Sequence, residues 1–215
     1  FFDNQTDFDN VKNLIDKPEH QKKIAEMKQA LRQRQLELYD SGLLPEKMRE
    51  RRAAANNLTI YEMVRNKKLY PLAQYLDAAD LALARDKANL KAFIKGMSDK
   101  DEGMRWWAVV GLHLLEKDAE SALDALTKAL SDESHEVRMM ASWTLIKLGK
   151  SDKAMACLDA LLFKETNNKT MLFNVLDWMG ESAFPLVKKY IKSGGSVKGR
   201  YGAGILGRIA EVQGW

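Results

Sequence analysis

The stretch SDKDEGMRWWAVVGLHLL, residues 98–115, returns 33 residues later as SDESHEVRMMASWTLIKL, residues 131–148. Ser98/Ser131, Asp99/Asp132, Arg105/Arg138, Ala108/Ala141, Leu112/Leu145 and Leu115/Leu148 coincide, and upstream Leu90/Leu123 and Lys95/Lys128 do too. A further step of 31 residues gives Leu172, Leu176 and Met179, and one of 30 gives Gly202, Leu206 and Ile209. One column therefore reads Leu112, Leu145, Leu176, Leu206, with Leu115, Leu148, Met179, Ile209 beside it. A unit of this length holds two helices and cannot bury its apolar stripe alone, so successive units must stack. The repeat predicts an all-α chain: an α-solenoid of about four helical hairpins over residues 86–215. A helical linker over 16–85 and a short extended N-terminal segment over 1–15 precede it.

In that first segment Phe1, Phe2, Val11, Leu14 and Ile15 are separated by Asp and Asn turn residues, which reads as one short strand or extended piece and a loop. Asp16 is placed to cap the next helix, with Pro18 in its first turn. Ile24, Met27, Leu31 and Leu38 recur at helical steps and predict one buried face of a long helix ending near Gly42. Residues 43–57 allow a second, charged helix, and Thr59 with Glu62 spells a capping box for a third. Pro71 opens a fourth, with Leu72, Tyr75, Leu76, Ala79 and Leu83 on its buried side.

Few features carry chemistry. Residues 202–207, GAGILG, match the spacing of a dinucleotide-binding turn, but Gly202 falls in the column of Ala108 and Ala141, inside a repeat helix, and no strand signal precedes it. The expected cofactor is none. Gly202 in that small-residue column points to close helix packing. His20, His113 and His135 are scattered without a second ligand at metal spacing, so no metal site is expected. Cys157, the single cysteine, sits among Ala and Leu as a small hydrophobe. No apolar run is long enough to span a bilayer, so no membrane partner is expected. The net charge of +4 is compatible with a polyanion partner but far from the dense basic tracts of dedicated nucleic-acid binders.

Trp106, Trp107, Trp143 and Trp178 offer either an aromatic platform or core packing at repeat interfaces, and packing is the reading favoured. Residues 22–34 and 48–55 read as solvated basic helical faces. The last repeat carries Lys188, Lys189, Lys192, Lys198, Arg200 and Arg208 with no acidic residue between 182 and 210, a candidate anion site or the polar cap that a solenoid end requires.

The units, above all HEVRMMASWTLIKLG, resemble HEAT repeats over roughly residues 86–210. The opening FFDNQTDFDNVKNL is similar to the segment L-Y-D-L-x-x-D-P-x-E-x-x-N-L near the C-terminal end of formylglycine-dependent sulfatases, with Phe8 in place of Pro and Asn10 in place of Glu. Residues 41–46 and 60–72 likewise resemble bacterial heparan or N-acetylglucosamine sulfatase-like chains with a HEAT-like extension. The resemblance implies that residues 1–3 are the last strand of the small sulfatase sheet and that Asp7 keeps its turn. It also implies an upstream catalytic domain as partner, a sulfated polysaccharide or another protein as a further one, and a periplasmic or extracellular location. The family's C/S-x-P/A-x-R nucleophile motif has no match, and Cys157 in CLDAL fails it, so no catalytic residue is expected in this chain. The expected function is the non-catalytic helical-repeat region of a sulfatase. Alternatives are a free-standing scaffold for protein partners and, further off, a nucleic-acid-binding repeat module.

Overall fold

The computed structural model describes residues 1–165 and 169–194. They are helical and turn-rich, with no β-strand among them. The N-terminal segment is a closed run of turns: the Asp3 carboxylate accepts from Gln5 N at 3.1 Å and Thr6 Oγ1 at 2.8 Å, and Asp7 from Val11 N and Lys12 N at 3.1 and 2.7 Å. Leu14 N donates to Phe1 O at 2.8 Å and shuts the loop. A strand needs a ladder partner, and the backbone groups here are taken up by turns.

Helix α1 (Gln21–Leu38) follows a 3-10 turn at Pro18–His20, with Lys17 at the N-cap and no side-chain cap. Asp16 therefore does not cap it; proline's fixed φ opens the turn instead. Tyr39 ends the helix in the left-handed region, φ 55°, and Asp40 accepts from Gly42 N at 2.8 Å. The predicted buried stripe of α1 is not buried. Only Ile24 is covered, while Met27, Leu31 and Leu38 are 52%, 61% and 58% exposed. The helix docks through a neighbouring face, where Arg32 reaches Asp77 at 2.5 Å, Asp80 at 3.4 Å and the Ala73 carbonyl at 3.4 Å.

Three further helices precede residue 86: α2 (Glu46–Ala55), α3 (Ile60–Arg65) and α4 (Leu72–Leu83). The capping box of α3 forms as its spacing predicts, with Glu62 N donating to Thr59 Oγ1 at 3.2 Å and Thr59 N to Glu62 Oε2 at 2.8 Å. Leu72, Tyr75, Leu76, Ala79 and Ala82 line the buried side of α4; Leu83, expected with them, is exposed at the helix end.

The repeats follow as α5 (Leu90–Gly96) with α6 (Glu102–Leu115), α7 (Leu123–Ala129) with α8 (His135–Lys147), and α9 (Ser151–Ala160) with α10 (Lys169–Met179). A π turn at Leu161–Glu165 widens the exit from α9. Helix α11 (Phe184–Lys192) opens a fourth unit. The second helices form a row, α6 on α8 and α8 on α10, which α4 extends by packing on α6, with the first helices laid along it. This is an α-solenoid of helical hairpins. Leu112, Leu145 and Leu176 of the repeated column are 0%, 2% and 0% exposed, in one continuous core. Gly111 lets the column close up: a Cβ there would meet the Phe93 ring at 2.4 Å. Residues 202–207 lie outside the described residues.

Candidate interaction surface

The hairpins are tied edge to edge by their inter-helix turns. Asp101 caps α6, accepting from Gly103 N at 2.7 Å and Met104 N at 3.2 Å. Asp99 accepts from Asp101 N at 2.8 Å, and one repeat on its counterpart Asp132 accepts from Ser134 N at 2.8 Å. Arg105 reaches forward from α6 and grips Asp132 with two parallel bonds of 2.8 and 2.9 Å, while its Nη1 donates to the carbonyls of Asp99 and Lys100 at 3.0 and 3.2 Å. Paired chiefly with Asp132, its guanidinium is held above the ordinary arginine range.

Helix α2 lies across this edge. Arg51 bridges two repeats, donating to Glu102 at 2.7 Å and to the fully buried Glu136 at 3.0 Å. Arg52 donates to the Leu69 carbonyl at 2.9 Å, to Asp101 at 3.1 Å and to the Tyr75 hydroxyl. Tyr75 in turn donates to Asp101, at 2.9–3.0 Å to either carboxylate oxygen, and burial pushes its hydroxyl far above the ordinary range. The reading of residues 48–55 as a solvated basic face fails at Arg52, whose side chain is 11% exposed, while Arg51 stays exposed yet is paired: successive turns set carboxylates in a row, and α2 supplies the counter-charge.

The tryptophans divide. Trp106 and Trp107 meet edge to face at 4.8 Å, half-buried between the linker and repeat cores, and Trp107 Nε1 donates to the Leu43 carbonyl at 2.8 Å. They are the joint between the two parts. Trp143 and Trp178 belong to another feature. From α6 to α8 to α10 the rings of His113, Trp143 and Trp178 form a row, with centroids 4.1 and 5.4 Å apart and the two indoles within 26° of parallel. The row begins buried at His113 and ends at Trp178, which is 62% exposed. Repeat stacking fixes the spacing of these helices, so the outer indole face is held in place before any partner arrives.

His113 anchors the inner end. Thr144 Oγ1 donates to the Met140 carbonyl at 2.7 Å, so at 3.3 Å it accepts from His113 Nδ1, which carries the proton. Burial, with the Lys147 charge behind it, pushes the imidazole down to about 4, and the ring is neutral at pH 7. Lys147 itself pairs with Glu116 at 2.9 Å.

Of the six cations expected to bind an anion, α11 carries Lys188, Lys189 and Lys192, all exposed. Lys189 pairs with Asp159 and stands 4.9 Å from the centre of the Phe163 ring. Lys198, Arg200 and Arg208 lie outside the described residues. Cys157 is buried, its thiol 3.5 Å from the Leu130 carbonyl, and His20 stands 5.3 Å from the Phe1 ring. Among the described residues no three potential metal ligands cluster, and no helix is long and apolar enough to cross a membrane. The Trp143–Trp178 stack was open to sequence reading only as two aromatics in neighbouring repeat units.

A family model described as HEAT repeats matches residues 90–170, which span α5 to the start of α10. No curated protein matches the chain.

Proposed function

We propose that this chain is a helical-repeat scaffold that binds a protein partner on the face of its second helices, at α8 and α10. The observation that carries the reading is Trp178, exposed yet stacked on Trp143. A rigid indole that is apolar on its face and polar at its edge is the residue type that dominates protein interfaces. The match to HEAT repeats supports the same reading, because such solenoids act by presenting extended surfaces. The test is a photo-reactive residue placed at position 178, and separately at Lys91 on α5, in the chain expressed in its native cells. One discrete cross-linked protein at 178 and none at 91 is expected. The same product from both positions, or none at 178, overturns the proposal.

A narrower second reading makes the scaffold the C-terminal part of a sulfatase. It is favoured by FFDNQTDFDNVKNL, in which Asp7 holds a turn through two backbone N–H groups. The residues it assigns to a strand form none. Sequencing the gene upstream of Phe1 tests it: a frame containing C/S-x-P/A-x-R supports the link, and its absence removes it.

A further inference from the structure

The uncovered stripe of α1 is a second surface, independent of the aromatic row. At 3.6 residues per turn, Ile24, Met27, Leu31 and Leu38 fall within an arc of about 60°, and the docking residue Arg32 lies roughly a third of a turn from its centre. With Arg34 the stripe runs Ile24, Met27, Leu31, Arg34, Leu38, alternating three- and four-residue steps, which is the seam of a two-stranded coiled coil. Ile24 at its start is covered within the chain, but Met27, Leu31 and Leu38 are more than half exposed, so from Met27 to Leu38 no helix among the described residues packs against the seam.

Charge selects the occupant. Arg34 stands in the seam, Lys23 flanks it on one side and Lys28 on the other, while the helix's two acids, Glu26 and Glu37, lie further round. Those acids touch Lys23 and Arg34 at 3.5 and 3.4 Å, as exposed i,i+3 pairs that hold their partners weakly. Helix α1 carries five basic residues against these two acids. A second copy would set like charges against each other. The chain's own residues 195–215 hold Lys198, Arg200 and Arg208 against Glu211, so they offer no complementary charge either. A lipid surface calls for a broad apolar face with aromatic anchors, and α1 has a narrow stripe and no Phe, Tyr or Trp.

We infer that α1 is a docking helix for an acidic amphipathic helix of a protein partner. Leu31 and Leu38 would pack into that helix's apolar seam, and Arg34 would meet one of its carboxylates.

The experiment titrates the full chain with a labelled synthetic peptide of four heptads, carrying Leu at the seam and Glu beside it. A twin peptide with Lys beside the same seam is the control. The acidic peptide is expected to bind and the basic twin not, with affinity falling as salt rises. Leu31→Ala and Leu38→Ala should each weaken binding at least about tenfold. Both positions are exposed, so the circular dichroism spectrum should not change, and Trp178→Ala should leave peptide binding intact. Equal binding of both peptides, or no effect of Leu31→Ala, overturns the inference. So does concentration-dependent dimerisation that Leu31→Glu abolishes. Binding of the chain to phosphatidylserine vesicles without binding of the acidic peptide overturns it as well.

Discussion

Replacing Arg105 with methionine tests whether the turn edge holds the hairpins together. The guanidinium makes two bonds to Asp132, one to Glu133 at 3.0 Å and two to backbone carbonyls. Methionine keeps much of the side-chain volume and removes all five. The Asp132 side chain is only 10% exposed, and without Arg105 it keeps the Ser134 amide alone among these contacts. Removing one partner of a buried pair costs about 3–5 kcal/mol, because the remaining charge is stranded. Glu133 is 81% exposed and returns to water, so its share is under about 1 kcal/mol. The expected loss is about 3 kcal/mol, read as a lower urea midpoint in circular dichroism. In the cycle with Asp132→Asn, the double variant should be more stable than the summed single losses by at least about 1 kcal/mol, since it strands no charge. A loss below about 1 kcal/mol, or strict additivity, would refute the reasoning.

Two other perturbations follow from the same packing. Gly111→Ala gains up to about 1 kcal/mol of helix propensity, yet its Cβ falls 2.4–2.6 Å from three atoms of the buried Phe93 ring, and overpacking of about 1–3 kcal/mol should win. Unfolding in urea should show a less stable protein, and Phe93→Leu in the same chain should recover part of the loss. His113 is held neutral with its proton affinity lowered from 6.5 to about 4, so the unfolded chain binds the extra proton first. Stability from this site is complete above pH 6.5 and drains away as pH falls towards 4, by at most about 3 kcal/mol. Thermal melts of His113→Phe should show a flatter acid limb over that window than the parent; parallel limbs would remove His113 as the cause.

The leucine column could be read before any coordinates because each turn of the repeat asks the same burial of the same position, and Leu112, Leu145 and Leu176 meet that demand. The capping box at Thr59 was legible for a similar reason, since its four residues contain both partners. Helix α1 shows where periodicity stops: spacing says which residues share a face and leaves open whether anything covers it. The roles of Arg51 and Arg52 were hidden because their carboxylate partners stand about 50 to 85 positions away along the chain, and a charge run carries no record of them. Trp143 and Trp178 lie in successive repeats at different helix positions, so column matching never set them together. Only the stacking of α8 on α10 does.

The proposed partner surface centres on the outer face of Trp178. Its most direct test is the affinity of the protein captured at position 178 for the wild-type chain and for Trp178→Ala, measured beside the urea midpoint of each. A loss of at least about tenfold in affinity is expected, with the midpoint unchanged. Unchanged affinity, or a loss that appears only together with lower stability, would contradict it.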